Sequence, residues 1–255
     1  NTFNVDDVGY ATAAAAGLDG GVVTPSAASV GTKQGFSILK YNGTGGQTCS
    51  HGLTQAPEFI IEKEIGESTA WTVQTTVIDG SLDYLYLNTT AGASDYSIDA
   101  PTSTVFDIGR DNECIAYLWH SVPGFSKFGS FVTPNASQYV HLGFKPAILW
   151  IKRTGKGSTT NLSTYGSWYV NNSEMSPVNP ASYEEVLWLN KDYAEGKRGN
   201  GGGAGTYLDV DFLSDGFKMR GTANAEVGQP GDTNIYCAWA EAPSIDLFGG
   251  GANAR

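Results

Sequence analysis

The sequence predicts an all-β protein of two tandem, duplicated antiparallel β-sandwich units, jelly-roll-like in kind, preceded by an N-terminal arm. Three observations predict this class: the composition, a series of short apolar runs, and an internal repeat. The 255 residues are 40% hydrophobic, which is enough to fill a core, and only 16% are charged. The 33 Gly, 13 Tyr and 6 Trp favour strands and turns over helices.

The apolar runs have the length and the boundaries of strands. They are rich in Ile, Val, Phe, Tyr and Trp, and Gly, Pro, Asn or Asp flank them. In the stretch 207–212, Leu208, Val210 and Phe212 fall on one face of an extended chain and the intervening residues fall on the other. This alternation predicts a half-buried strand.

An internal repeat divides the chain. Gly35-Phe36-Ser37 recurs at 124–126, an offset of 89. Further matches follow in the same order with growing offsets: Pro57 with Pro146, Trp71 with Trp168, Leu85 with Leu187, Phe106 with Phe212, and Ile115 with Ile235. Duplication followed by insertions in surface loops produces such a series. The sequence therefore predicts a first sandwich over 35–123 and a second, with longer loops, over 124–255; a single larger sandwich assembled from both copies is the alternative.

Residues 1–34 differ from the repeats because they are rich in Ala, Gly and other small residues that cannot build their own core. We expect this segment to be an arm or linker. It either packs along the first sandwich or joins it to upstream sequence, which we expect because the chain begins at Asn1 rather than Met.

Charge and hydropathy argue against two classes of partner. The net charge is −11, with 15 basic and 26 acidic residues, so phosphate groups of nucleic acid would be repelled. No apolar run approaches the roughly 20 residues that span a bilayer, so we expect no membrane insertion. Cys49, Cys114 and Cys237 are too few and too widely spaced for a disulfide framework, and we interpret them as buried free thiols.

Residues that could support catalysis, a cofactor or a metal do not form recognisable patterns. His51, His120 and His141 lack closely spaced partners, and we assign them structural roles. The carboxylates at 209, 211 and 215 could bind calcium, but a solvated strand face explains them better. The stretch 154–159 resembles a phosphate loop without its spacing, and Gly-x-Ser-x-Gly is absent. We therefore predict no catalytic residues, no cofactor and no metal.

Aromatic side chains are the remaining candidates for binding, because exposed Tyr and Trp stack on sugars and anchor protein interfaces. Tyr165, Trp168 and Tyr169 form the best such group in the sequence. Trp168 matches Trp71 in the repeat, which favours a core position for it. Tyr165 and Tyr169 remain as glycan or partner contacts.

Several strings of the sequence resemble a domain found in virion proteins of marine and cyanobacterial tailed phages. They are residues 35–41, 51–57, 101–106, 115–125, 211–218, 238–243 and 253–255. The resemblance extends from about residue 35 to the end of the chain. It implies a domain of unknown function at the C-terminus of tail fibres, appendages or head decorations, and it supplies no catalytic residues.

The resemblance leads us to expect a non-enzymatic structural protein of a bacteriophage or cyanophage, forming a rigid β scaffold in an oligomeric part of the virion. Its partners would be other virion proteins and copies of itself, with a trimer favoured, on a tail appendage or the capsid surface. The alternative is a carbohydrate-binding adhesin that recognises a host surface glycan during attachment. A polysaccharide depolymerase is a third hypothesis.

Overall fold

The computed structural model describes residues 2–133, 136–155, 166–175, 185–192, 196–197, 209–220 and 230–243. Over these ranges the protein is all-β, with several sheets and no helix, as the sequence predicts. No helix in this part of the chain could therefore cross a bilayer. The chain divides into two compact units: the first runs to Leu87 and resumes over Ser94–Val122, and the second takes Asn88–Ala93 and the chain from Pro123 onward.

The first unit contains a large sheet and a small one. Its strands are β1 (Phe3–Val5), β2 (Val8–Tyr10), β3 (Ala27–Gly31), β4 (Phe36–Gly43), β5 (Thr48–Ser50), β6 (Phe59–Glu64), β7 (Thr72–Thr75), β8 (Asp83–Tyr86), β9 (Ser94–Asp95), β10 (Val105–Asp107) and β11 (Asn112–Trp119). The nine-stranded sheet has the order β2-β1-β3-β4-β11-β6-β7-β8-β9, and β10 pairs with β5 in a separate ladder. Pairing is antiparallel except between β1 and β3.

The second unit is built in the same way. Its strands are β12 (Ser126–Val132), β13 (Gln138–His141), β14 (Pro146–Arg153), β15 (Trp168–Asn172), β16 (Glu185–Trp188), β17 (Gly196–Lys197), β18 (Asp209–Leu213), β19 (Gly216–Arg220) and β20 (Thr233–Ala240). One ladder runs β12-β20-β14-β15-β16-β17, and a three-stranded sheet runs β13-β19-β18.

The core of each unit lies between its two sheets, which is the layering of a β-sandwich. In the first unit, Leu39 and Leu118 of the large sheet pack in one buried cluster with Phe106 of the small sheet. In the second unit, Ile151 of the large ladder shares a cluster with Phe217 of the small sheet. The alternation of side chains along each strand produces these inward faces.

The large sheets of the two units share strand order and register. In the first unit Ile61 pairs with Val73 and Val73 with Leu85; in the second, Trp150 pairs with Val170 and Val170 with Leu187. The offsets are 89 (150 − 61), 97 (170 − 73) and 102 (187 − 85). Duplication of one domain is the interpretation we place on this correspondence.

At β4 and β12 the structural register differs from the sequence match by one residue. Trp119 pairs with Phe36, and Trp239 pairs with Ser126, which makes the offset 90 (126 − 36) rather than 89. Both copies contain Gly-Phe-Ser, but backbone hydrogen bonding to β11 sets the register of β4, and hydrogen bonding to β20 sets the register of β12. Phe131 consequently occupies the inward position of Tyr41.

The counterpart of Phe106 is Phe217, not Phe212 as the sequence match suggests. Phe106 of β10 pairs with β5, and Phe217 of β19 pairs with β13 in the same sense. Phe106 makes an edge contact with Tyr41 at 5.9 Å between ring centroids, and Phe217 makes one with Phe131 at 6.1 Å. Phe212 lies on the outer strand β18 and only borders the core.

Residues 3–31, within the expected arm, are an integral part of the first unit. β3 extends along β4 from Ala27 to Gly31, and β1 and β2 continue the sheet beyond it. Phe3, Leu18 and Val30 are buried in the core cluster. The average composition of this segment conceals a few large apolar residues at inward positions, and the edge of β4 supplies backbone hydrogen-bond partners.

Candidate functional site

The histidines do not assemble a site. His51 is fully buried, donates from Nε2 to the Thr102 carbonyl (3.1 Å) and accepts at Nδ1 from the Leu53 N–H (3.1 Å). Burial lowers the pKa of His51, so the ring is neutral and joins two segments of backbone. His120 is also buried and donates to its neighbouring Ser121 carbonyl at 2.9 Å. Both rings fix loops.

The cysteines are buried free thiols, as the sequence predicts. Burial raises the pKa of Cys49 and of Cys114 to about 12, with the charge of Glu62 adding to the effect in both. Burial alone raises the pKa of Cys237. These groups are thiols rather than thiolates at neutral pH, which makes them poor nucleophiles.

Two residues of the aromatic group predicted from sequence, Trp168 and Tyr169, are buried. Trp168 is 1% exposed and Tyr169 is 2% exposed, because β15 lies between β14 and β16 and its side chains are covered on both faces. Trp168 therefore has the core position that its match with Trp71 favours, and Tyr169 lacks the exposure that the predicted glycan or partner contact requires. Tyr165 lies outside the described residues.

Two of the acidic residues considered as calcium ligands, Asp211 and Asp215, lie beside other side chains. Asp211 forms an ion pair with Arg220, with 2.9 Å between Oδ1 and Nε. Asp215 lies 3.8 Å from His141 Nδ1. Within the described ranges, no three His, Cys, Asp or Glu side chains are grouped closely enough to hold a metal ion. Of the stretch 154–159, only its first two residues are described.

Two basic residues are buried inside the second unit. Arg153 and Asp232 form an ion pair at 2.6 Å, and both are almost fully buried. Lys152 donates to the carbonyls of Gly166 and Thr90 and lies 6.0 Å from the centre of the Trp168 ring. Burial, with a smaller effect from Arg153, lowers the pKa of Lys152 to about 7.

The first unit contains a buried carboxylate at its centre, Glu62 of β6. Its oxygens accept hydrogen bonds from the Tyr41 hydroxyl, from Gln74 Nε2 at 3.3 Å, and from the Gly109 N–H at 3.1 and 3.0 Å. Burial raises the pKa of Glu62, although these donors and the charge of Arg110 oppose the shift. Burial and the neighbouring Glu62 raise the pKa of Tyr41, so its proton stays on the phenol.

Glu62 holds the loop that joins β10 to β11. A Cβ on Gly109 would lie 2.8 Å from Glu62 Oε2 and 2.7 Å from Gln74 Nε2, so a larger residue would require these buried side chains to shift. The Gly109 carbonyl accepts a hydrogen bond from the Tyr96 hydroxyl at 2.8 Å. The next residue, Arg110, donates from Nε to Thr72 Oγ1 at 2.7 Å.

Next to Glu62 and Gly109 lies a cluster of three half-buried tyrosines and one half-buried arginine, which we call the tyrosine–arginine surface: Tyr84, Tyr86, Tyr96 and Arg110. The ring centroids of Tyr84 and Tyr96 are 4.9 Å apart, and those of Tyr84 and Tyr86 are 5.6 Å apart. The Arg110 guanidinium lies 5.9 Å from the centre of the Tyr86 ring. Such an arrangement offers aromatic faces beside hydrogen-bond donors.

Sequence reasoning missed this surface. Tyr84 and Tyr86 alternate along β8, and this period of two could have identified the pair as sharing a face. Tyr96 and Arg110 come from later segments, and only tertiary structure brings them alongside.

The second unit lacks the buried carboxylate. At the positions of Glu62 and Tyr41 it has Ile151 and Phe131, both in its hydrophobic core, at the offsets of 89 and 90 that the ladders define. Thr72 is replaced by Tyr169, whose ring makes an edge contact with Trp188 at 6.2 Å. The same arrangement of strands therefore forms around an apolar centre.

The second unit has a concave feature of its own. It is an open depression of about 740 Å³, lined by residues 88–90 and 189–192. Asn190 is held from beneath, because its Oδ1 accepts a hydrogen bond from the Trp168 N–H at 2.9 Å. Two amides, two threonine hydroxyls and the charged pair Lys191 and Asp192 thus border one cavity.

Comparison with known proteins gives a family but no activity. A family model described as a domain of unknown function (DUF7483) matches residues 9–243. No curated protein matches the chain, and no solved structure matches it either.

Proposed function

The chain belongs to the family of domains of unknown function DUF7483, and we propose that it is a non-enzymatic structural protein of a bacteriophage virion. It would form a rigid β scaffold within an oligomeric particle component, either a tail appendage or a capsid decoration. The resemblance of residues 35–255 to domains of phage virion proteins supplies the biological setting.

The use of Glu62 supports a structural rather than a catalytic role. A catalytic carboxylate has to reach a substrate proton within about 3 Å. Both oxygens of Glu62 are instead occupied by the Gly109 N–H, and the residue is fully buried. His51 likewise uses both ring nitrogens on backbone groups. Glu62 and His51 are thus engaged in holding the fold.

Labelling of intact particles tests this proposal. Antibodies raised against the chain and coupled to gold would be applied to purified particles of the phage that encodes it, with particles lacking the gene as the control. We expect label at one defined location, on the tail or on the capsid. Label that is absent from particles while the chain accumulates in infected cells would contradict a structural role in the virion.

A carbohydrate-binding adhesin is the second candidate, and the depression of the second unit favours it. Amides, hydroxyls and a pair of opposite charges are the groups that proteins direct at sugar hydroxyls. Lys191 and Asp192 belong to this lining and can be changed together.

A glycan array tests the adhesin candidate. The intact chain and a Lys191→Ala/Asp192→Ala variant would be applied at equal concentration. Loss of a glycan signal in the variant would support binding in the depression, and the absence of any signal from the intact chain would contradict the adhesin.

A further inference from the structure

We propose that the tyrosine–arginine surface of the first unit is a saccharide-binding site. It would stack one face of a pyranose ring on Tyr86, beside Tyr84, with hydroxyl or carboxylate groups of the sugar on the Arg110 guanidinium. The inference rests on the adhesin candidate and assigns it a location and a ligand class. It is independent of the depression in the second unit.

The arrangement of the rings is the first argument. Tyr84 is inclined by 47° to Tyr96 and by 68° to Tyr86, so the three rings do not stack into one closed column. All three are half-buried, which leaves part of each side chain in contact with solvent. Aromatic side chains bury large areas on binding at a low cost in conformational entropy.

Preorganisation is the second argument. The Tyr96 hydroxyl is held by the Gly109 carbonyl at 2.8 Å, and Arg110 is held by Thr72 Oγ1 at 2.7 Å. Gly109 is in turn fixed by the buried carboxylate of Glu62. Binding sites need such support behind the groups that touch the ligand, because a loosely held group loses much of its binding energy on ordering.

The comparison between the units is the third argument. A buried carboxylate is costly to desolvate, and apolar replacements of buried charges are often neutral or stabilising. The second unit uses such a replacement, with Ile151 at the position of Glu62. The sheet can thus be built without the carboxylate, and what the first unit gains is a fixed Gly109 and Arg110 beside the tyrosines.

The chemistry of the surface points to a saccharide. Aromatic faces stack on the C–H groups of pyranose rings, and a guanidinium presents several N–H donors to hydroxyls or to the carboxylate of a uronic acid. The net charge of −11 disfavours nucleic acid, whose bases also stack on aromatic rings, and it disfavours polyuronates as well except for the local contact of one carboxylate with Arg110. A second copy of the chain is the competing occupant, because Tyr and Arg also anchor protein interfaces.

The test compares variants of the intact chain on neutral glycans and on polyuronates, with affinities measured by titration. The variants are Tyr86→Ala and Arg110→Gln, and Tyr139→Ala is the matched control, since Tyr139 is 45% exposed and belongs to the second unit. The Lys191→Ala/Asp192→Ala variant monitors the depression. Thermal unfolding and the mass in solution are recorded for every variant.

We expect Tyr86→Ala to weaken saccharide binding by about tenfold or more, from the loss of one stacked ring, and the Tyr139→Ala control to bind like the parent. Arg110→Gln should weaken binding of polyuronates more than that of neutral glycans. If Tyr86→Ala does not fold, Arg110→Gln alone tests the proposal, because its binding of polyuronates should weaken more than its binding of neutral glycans.

Three results would overturn the proposal. Binding lost only in the Lys191→Ala/Asp192→Ala variant would place the adhesin site in the depression. A lower oligomer mass in Tyr86→Ala, with saccharide affinity unchanged, would identify a contact between copies. No saccharide bound by the intact chain would remove this site and the adhesin candidate together, and particle labelling would still decide the virion proposal separately.

Discussion

Gly129 lies directly opposite Tyr236 in the ladder between β12 and β20. At the equivalent place in the first unit, Leu39 lies opposite Ala116. The first unit has its large residue on β4 and its small one on β11, whereas the second unit has the small residue on β12 and the large one on β20. The equivalent positions are offset by 90 (129 − 39) and 120 (236 − 116). A Cβ on Gly129 would come within 2.6 Å of the Tyr236 hydroxyl, so the glycine leaves room for the ring.

This exchange predicts a compensating pair of substitutions. Gly129→Leu alone should overpack the core, at a cost of about 1–3 kcal/mol, and Tyr236→Ala alone should leave a cavity costing about 3–5 kcal/mol. The double variant recreates the pair found in the first unit. We expect it to be more stable than the sum of the single effects by about 1–3 kcal/mol in urea unfolding. Strictly additive losses would contradict the equivalence of the two ladders.

The N-terminal segment provides a second prediction. Leu18 is 1% exposed and Val22, four residues later, is 73% exposed. Leu18→Ala should lower the free energy of unfolding by about 2–5 kcal/mol, because it empties a position in the core of the first unit. Val22→Ala is the matched control and should change it by less than about 0.5 kcal/mol. Equal, small effects of both substitutions would mean that the segment is a loosely attached arm.

Gly109 is the basis of a third prediction. Gly109→Ala should destabilise the first unit by about 1–3 kcal/mol, since the added methyl would collide with Tyr96, Gln74 and Glu62. Gly45→Ala serves as the control, because its nearest neighbour would be 3.8 Å away, at ordinary contact distance. Chemical denaturation of the three proteins measures the difference. A Gly109→Ala variant as stable as Gly45→Ala would refute the close approach.

Lys152 predicts a dependence of stability on pH. Its pKa falls from 10.5 to about 7 in the folded protein, so the unfolded chain binds more protons between those values. The stability contributed by this group is complete above pH 10.5 and is lost as the pH falls towards 7. From pH 7 to pH 9 this group should raise the free energy of unfolding by about 2 kcal/mol.

Replacing the lysine tests that dependence. In Lys152→Met the rise in unfolding free energy from pH 7 to pH 9 should be smaller than in the parent by about that 2 kcal/mol. Lys145→Met, which removes a lysine paired with Glu241 at 2.5 Å on the surface, should keep the parent's rise. If Lys152→Met also kept the full rise, another group would have to be its source.

Much of the strand arrangement could be predicted from sequence because apolar matches fall inside strands. Leu85 and Leu187 lie in strands where the ladder fixes the register, and Trp71 directly precedes β7 as Trp168 begins β15, so their offsets recur in the structure. The match at Gly35 lies in the turn before β4, outside the ladder, and is one residue out of register. Similar letters in a turn do not constrain the pleat of the strand that follows.

The tyrosine–arginine surface could not be predicted in the same way. Period-two alternation places Tyr84 and Tyr86 together, but Arg110 comes from the loop that Glu62 and Gly109 hold, far along the chain. The sequence likewise does not show that both faces of β15 are covered, which removes Tyr169 from solvent. Burial of this kind depends on which strands become neighbours, and local pattern leaves that open.

The saccharide site that we propose requires Glu62 to hold the loop of Gly109 and Arg110 rather than the sheet. Hydrogen exchange in a Tyr41→Phe/Glu62→Ile variant, which installs the residues of the second unit, tests it most directly. We predict that amides of residues 108–111 exchange much faster, while the slowest amides of β6 and β11 keep their protection to within about tenfold. Loss of protection throughout β6 and β11 would show that the sheet itself requires the carboxylate, and would contradict the account.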